Sequence, residues 1–426
     1  MEKIHSILQE VLEKVKPSKE DAKEMADLVK DFLKKIKSKL KASGAKAEVF
    51  VGGSFAKNTV IKKDEYDVDI FLRFDKKYKD AEISEMTKKL LGSAGEFKTI
   101  HGSRDYFKIP LRDDFFIELV PVAKVSTPEQ SENITDLSYS HVKYVNKKVK
   151  TEKMLDEIRL AKAFCYATQC YGAESYINGF SGYALELLTY YHGGFLKFVK
   201  AMTKVKIGEK EVIDIEKHFK NKAQVLMDIN ESKLNSPVIL IDPTHKHRNA
   251  LAALSDETLL KFQKACSKFL KSPSVKSFDV QKTDLEKIEK DAAKNKFEYI
   301  LIEARTEKQE GDVAGTKLLK FYNHLTGEIE KFFEIKKKGF NYNSKKSARY
   351  FFVVKSRGDI EISGPLVKDE DNVKAFEKVH SVYFTKKGRI FAKERVDFSV
   401  KGFMDMWKKK NSSRVKEMYI SELKIV

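Results

Sequence analysis

Residues 1–16 set charged against apolar side chains at helical spacing. After Pro17, the run Met25, Leu28, Val29, Phe32, Leu33 and Ile36 predicts an amphipathic helix that Ser18 opens and Ser43-Gly44 closes. The period then drops to two: 48–51 and 67–74 read as strands, joined through the small-residue turn Gly52-Gly53-Ser54 and a short helix expected between 55 and 60. Residues 82–91 read as a helix, and 106–109 and 115–121 as strands around the polar turn Arg112-Asp113-Asp114. From Asp136 the pattern turns helical, with 153–171 carrying Lys162 near the edge of an apolar face and 179–183 leading into an apolar helix through Leu188. A strand is expected at 238–242, entering a loop with His245, Lys246, His247, Arg248 and Asn249; a helix follows to about Leu270. Beyond 272, strands are expected at 299–304, 350–355 and 359–363, with a helix over 313–333.

These elements predict a multidomain α+β protein in three segments: a mixed sheet with helices over 1–135, a mainly helical segment over 136–258, and an α+β segment over 259–426. Apolar residues at 42% are ample for packed cores and exclude a disordered chain. Lys and Arg number 82 against 63 Asp and Glu, and the net charge of +19 points to a polyanionic partner. Three widely spaced cysteines, Cys165, Cys170 and Cys266, offer neither a disulfide framework nor a zinc pattern. With no apolar run long enough to cross a bilayer and no leader pattern, a soluble, cytoplasmic protein without a membrane partner is expected.

The chemistry gathers around Gly53-Ser54, Asp67, Asp69 and Glu118. Glycines let backbone N–H groups approach a phosphate closely. On a strand, Asp67 and Asp69 project to the same side while Val68 and Ile70 turn inward. Two such carboxylates repel unless a cation stands between them, and Glu118, an acid among apolar neighbours, carries the same cost. Asp64 and Glu65 compete as ligands, but they precede the apolar part of the strand and fit a solvated loop better. Three carboxylates on neighbouring strands can hold two Mg²⁺ ions roughly 4 Å apart. With Ser54 and the turn amides on the outgoing phosphates, the set describes attack of a 3′-hydroxyl on the α-phosphate of a nucleoside triphosphate.

The pairing of Gly53-Ser54 with Asp67-Val68-Asp69 resembles the DNA polymerase β-like nucleotidyltransferases. More narrowly, residues 51–59, 117–121, 171–174, 179–183 and 241–249, with Gly364-Pro365 and 371–373, resemble the archaeal class I CCA-adding enzymes. That resemblance implies a nucleotidyltransferase palm, a helical nucleotide-recognition domain and a tRNA-binding body, adding C, C and A to the tRNA 3′ end from CTP and ATP. It implies that Asp67, Asp69 and Glu118 bind magnesium, and that Gly53, Ser54, Lys57, His141, Lys162, Tyr171 and Arg248 bind the nucleotide. tRNA is the implied partner, and a homodimer is compatible with it. The alternatives are another terminal RNA nucleotidyltransferase, of the poly(A) or oligoadenylate type, or an inactive RNA-binding protein on the same scaffold. Three departures stand out: Lys57 replaces the usual Arg, Glu118 the usual Asp, and Leu137-Ser138-Tyr139 an Arg-Thr-Pro run.

In the C-terminal half, Lys336, Lys337, Lys338, Lys345, Lys346, Arg349 and Lys408–Lys410 occur near Phe340, Tyr342, Tyr350 and Trp407. This basic and aromatic mixture suits backbone-directed binding of an RNA duplex.

Overall fold

The computed structural model describes residues 2–63, 65–92, 96–102, 104–280 and 283–426. It divides into two compact units, Met1–Gln281 and Lys282–Val426.

In the first unit, the helix Lys19–Ser43 starts where Ser18 Oγ accepts from the Asp21 N–H at 2.9 Å and stops at Gly44, whose φ of 67° is left-handed. It lays Met25, Val29, Phe32, Ile36 and Leu40 on a five-stranded sheet. The strands are β1 (Ala47–Val51), β2 (Tyr66–Phe74), β3 (Lys98–Ile100), β4 (Tyr106–Arg112) and β5 (Phe115–Ala123), in the order β1-β2-β5-β4-β3. β2 and β5 run parallel, and their register sets Asp69 beside Glu118. Val68, Ile70, Leu72 and Phe74 fill the core with Ile83, Leu90 and Leu91 of the helix Asp80–Leu91. The other face of β2 carries Asp67, Asp69, Phe71 and Arg73. The expected helix after the glycine turn forms earlier and shorter, over Gly53–Ala56. β3 was outside the sequence pattern, since three residues beginning Lys-Thr show no alternation.

The helices Glu152–Ala167, Gly182–His192, Phe195–Met202 and Asp256–Lys271 share a second core, and Leu8 and Val11 of the helix Glu2–Val15 join it. Helix Asp256–Lys271, in which the 258/259 segment boundary falls, buries Leu259, Phe262, Cys266 and Phe269 here, so residues 259–280 group with the first unit. Beside this core lies a small sheet of β6 (Glu211–Asp214), β7 (Val238–Asp242) and β8 (His245–Asn249), in that order. The stretch 245–249, expected as a loop, is a strand. Its polar sequence hides a role as the edge partner of the fully buried β7.

The second unit pairs β10 (Phe333–Tyr342), β11 (Ser347–Ser356), β9 (Glu298–Arg305) and β15 (Glu422–Ile425) in the order β10-β11-β9-β15. A smaller sheet holds β12 (Asp359–Leu366), β14 (Arg389–Arg395) and β13 (Tyr383–Lys386). Helices Asp312–Glu330 and Val400–Lys410 cover the larger sheet with Leu318, Phe321, Leu325, Met404 and Trp407. Tyr350 and Trp407, expected as aromatics of an RNA-facing surface, are core residues at 0% and 6% exposure. Their polar tips are satisfied internally, Tyr350 Oη donating to the Leu318 carbonyl at 2.9 Å and Trp407 Nε1 to Glu328 at 3.2 Å. The α+β class expected from the sequence holds in both units.

Phe262 is fully buried, with ring centroids 4.8 Å from Phe180, 5.7 Å from Phe198 and 5.8 Å from Phe164. Truncation there removes the hub of the helical core. Phe262→Ala is expected to cost about 3–5 kcal/mol, read as a lower urea midpoint at an unchanged slope.

Candidate active site

The turn after β1 is shaped by what stands behind it. The Gly52 N–H donates to the Asp69 carbonyl at 2.8 Å, and Gly53 has φ 59°. A Cβ on Gly53 would fall 1.7 Å from Asp69 Oδ2, so only glycine lets the turn lie against that carboxylate. Asp67 is exposed, whereas Asp69 and Glu118 are partly buried. Burial, then the neighbouring Asp67 charge, pushes the Asp69 carboxyl up to about 6. Burial, then Asp69 and Asp67, pushes Glu118 up to about 8. Such a set is short of positive charge. Lys63 Nζ, 3.6 Å from Asp67 Oδ1 and 5.8 Å from the Tyr171 ring centroid, supplies some of it. Glu65 is exposed and turns to Lys108 at 3.6 Å; Asp64 lies outside the described residues.

Hard carboxylate oxygens are the donors magnesium takes, and the raised carboxyls show acids that a divalent cation would relieve. Among the described residues no three Asp, Glu, His or Cys side chains enclose an ion by themselves. The acids therefore suit an ion whose shell is completed by water and substrate phosphates, as magnesium's usually is. A cleft beside them is lined by Ser54, Thr59, Lys63, Asp67, Lys162 and Tyr171.

Behind this cleft, Glu186 gathers the expected phosphate-binding lysines. Lys57 Nζ reaches Glu186 Oε2 at 2.6 Å and Lys162 Nζ reaches Oε1 at 2.7 Å. Thr59 Oγ1 donates to Glu186 Oε1 at 2.8 Å and accepts from Lys162 at 2.7 Å. Burial works to raise the Glu186 carboxyl, and the Lys162 and Lys57 ammoniums overcome it, holding it down at about 2. Burial brings Lys162 down to about 8 against the attraction of Glu186, so it stays cationic at neutral pH. Sequence periodicity set Lys162 at the rim of its helix, but the side chain is 2% exposed because Glu186 meets it inside. Glu186 itself escaped the sequence reading; an acid inside the apolar run 182–188 was its signal.

A second buried carboxylate, Asp242, organises the other expected contacts. It accepts from Arg248 at 2.6 Å, Tyr183 Oη at 3.0 Å and the Thr244 N–H and hydroxyl at 2.8 Å each, and meets His141 Nε2 at 2.9 Å. Burial presses its carboxyl upward, and His141 and Arg248 outweigh that, holding it well below the usual carboxylate range. His141 is stacked on Tyr183 with ring centroids 3.9 Å apart, and burial pushes its pKa down. The imidazole is therefore neutral at pH 7. Arg248 Nε is buried without a hydrogen-bond partner among the described residues. Tyr171 forms an isolated bridge with Phe180, which brings its ring to the cleft. Tyr183 and Asp242 were read only as parts of motifs, and their contacts come from residues far apart in the chain.

In the second unit, Lys336, Lys337 and Lys338 lie on edge strand β10, Lys345 and Lys346 between β10 and β11, and Arg349 on β11. Four of them meet acids: Lys336 with Glu334 at 2.5 Å, Lys338 with Glu330 at 4.0 Å, Lys346 with Glu307 at 3.3 Å and Arg349 with Glu303 at 2.8 Å. Solvent-exposed pairs of this kind are worth about 0–1 kcal/mol, which a phosphate can outcompete.

Removing the Glu186 carboxylate strands two buried ammoniums. Glu186→Ala is expected to lose about 3–5 kcal/mol, read by denaturant titration. Because its carboxyl is lowered on folding, its stabilisation is complete above about pH 4.5 and is lost as pH falls toward 2. Glu186→Gln should flatten that part of the acid limb; an unchanged limb would mean that other carboxyls account for it.

Comparison with known proteins adds the family. Residues 7–123 match the nucleotidyltransferase domain, and residues 156–279 match the second domain of tRNA nucleotidyltransferase. The chain is 42% identical to a CCA-adding enzyme of Nanoarchaeum equitans over 209 residues, 49% of this chain and 51% of that protein. It is 30% identical to the CCA-adding enzyme of Methanocaldococcus jannaschii over 293 residues, 67% of this chain and 64% of that one. The matches thus span about half to two thirds of these relatives' lengths. Among solved structures, a cytoplasmic RNA terminal U-transferase aligns with a TM-score of 0.50 at 14% identity, over 66% of this chain and all of that one. The Cid1 RNA terminal uridylyl transferase aligns with a TM-score of 0.50 at 13% identity, over 65% and 98%. These two likenesses bear on the fold alone. A nucleotidyltransferase domain and the second domain of a tRNA nucleotidyltransferase thus follow one another along this chain, which is similar over that stretch to archaeal CCA-adding enzymes.

Proposed function

We propose that this chain is a CCA-adding tRNA nucleotidyltransferase, extending the tRNA 3′ end with C, C and A from CTP and ATP and releasing pyrophosphate. The observation that carries the reading is the register that sets Asp69 of β2 beside Glu118 of β5, immediately behind the Gly53 turn and on the same strand face as Asp67. Two magnesium ions held by these acids would supply the positive charge that makes the RNA hydroxyl a better nucleophile and neutralises the phosphates.

The protein's own part is positioning. Ser54 and the turn amides hold the outgoing phosphates, assisted by Lys57 and Lys162, whose ammoniums Glu186 keeps in place before substrate arrives. Tyr171 closes the cleft beside the ribose. Neutral His141 and Arg248, aligned by Asp242, face the base. Asp69 and Glu118 orient the attacking hydroxyl. The basic stretch Lys336–Lys338 with Lys345, Lys346 and Arg349 is the proposed contact for the tRNA duplex, consistent with the net charge of +19. The proposed setting is the cytoplasm; no helix among the described residues is long and apolar enough to cross a membrane.

Incubation with Mg²⁺, CTP, ATP and tRNA lacking its 3′ end is expected to add C, C and A and then stop. Open-ended tailing by one nucleotide, or equal products without tRNA, would overturn the reading in favour of another terminal transferase. Asp69→Ala should abolish incorporation while tRNA binding persists in a filter assay, and retained turnover would remove the acid from the mechanism. Gly53→Ala, which forces the Asp69 carboxylate aside, should lower kcat by roughly a hundredfold.

A further inference from the structure

The acid row has two flanks. Strand order puts β1 and its Gly53 turn on one side of β2, and β5 followed by β4 on the other. With the triphosphate on the turn side, the RNA end must reach Asp69 and Glu118 across β5 and β4. That flank holds a cation which the nucleotide cleft does not use. Lys108 on β4 is directly opposite Glu118 in the antiparallel pair, so the two side chains share a face. Its Nζ lies 3.8 Å from the centroid of the Phe116 ring. Phe116, two residues before Glu118 and in register with Asp67, stands on the same face as the acids.

We infer that Lys108, steadied by the Phe116 ring, binds the last phosphodiester of the incoming RNA and thereby brings the terminal ribose hydroxyl beside Asp69 and Glu118. The inference rests on the nucleotidyl transfer proposed above. Three features favour a phosphodiester over a purely structural lysine. The ammonium is held over an aromatic face, which limits where a flexible side chain can carry its charge. Its acidic partner, Glu65, is 62% exposed and 3.6 Å away, a contact that a phosphate can displace. Opposed residues on paired strands are about 5 Å apart at Cα, a separation that one nucleotide can bridge between its phosphate and its 3′-hydroxyl. Phe116 is a positioning residue in this arrangement, since it touches Lys108 and not the RNA.

The test measures KM for CTP and for tRNA lacking its 3′ end separately, together with the salt dependence of RNA binding, in wild type, Lys108→Ala, Lys108→Arg and Phe116→Leu. Loss of one charge-assisted contact is expected to raise the RNA KM about tenfold or more in Lys108→Ala, with the CTP KM within about twofold of wild type. The slope of log K against log salt should fall by about 0.7 for a single-stranded end. On RNA trimmed back to a blunt duplex, the slopes of wild type and Lys108→Ala should coincide. Lys108→Arg should recover most of the loss, and Phe116→Leu should fall between. An unchanged RNA KM and salt slope would overturn the inference. A shifted pH profile with an unchanged RNA KM would also overturn it, because Lys108 would then act only through the charge of Glu118. The binding arm needs no turnover, so a wild-type protein that incorporates nothing would count against the proposed reaction while the salt slope still judged Lys108.

Discussion

One buried carboxylate with two ammoniums joins the parts of the candidate site. Glu186 comes from the helix Gly182–His192, Lys162 from Glu152–Ala167, and Lys57 from the loop leaving the glycine turn. Withdrawing three charges from water costs several kcal/mol per ion. The cost is offset here because each Glu186 oxygen is engaged and Thr59 links the lysine to the acid. The arrangement therefore fixes geometry more than it adds net stability: the sheet that carries the acids cannot shift against the helices without breaking it. Other contacts follow the same seam, with Arg159 donating to the Asn58 carbonyl at 2.6 Å and Asn146 to that of Ala56 at 3.1 Å.

Asp242 repeats the device with different chemistry. Neutral and cationic donors converge on it, so one ionised group sets the ring plane of His141 and the direction of Arg248 together. The Lys57 departure from arginine is understandable in this light. A compact ammonium can sit against Glu186 and still lie 5.8 Å from the Tyr183 ring, whereas a guanidinium would need a wider, planar acceptor. The Glu118 departure has a geometric counterpart in the parallel register with Asp69, which leaves the longer side chain on the acid face.

Where side chains alternate with a clear period, the sequence was a good guide. Helix Lys19–Ser43, strands β2 and β5 and the acids on them were legible because burial on one face imposes the spacing. β8 and β10 were not, since His-Lys-His-Arg-Asn and a lysine triplet carry no apolar alternation and take their structure from neighbours. The chemistry followed the same divide. Acids paired along one strand announce themselves, while Glu186 and Asp242 act through partners that only the folded chain brings near. Tyr350 and Trp407 mark the opposite error, in which proximity to lysines in sequence suggested a surface that packing reserves for the core.

The lysine triplet also has a meaning apart from RNA. β10 is an edge strand, paired with β11 on one side, and its register slips between Ile335 and Lys337. An open strand edge is a template for another chain's backbone, and natural sheets blunt such edges with lysines and bulges. Lys336, Lys337 and Lys338 do this here. The same charges that suit a polyanion keep two copies of the sheet from zipping together, so solubility and the proposed RNA contact draw on the same three side chains.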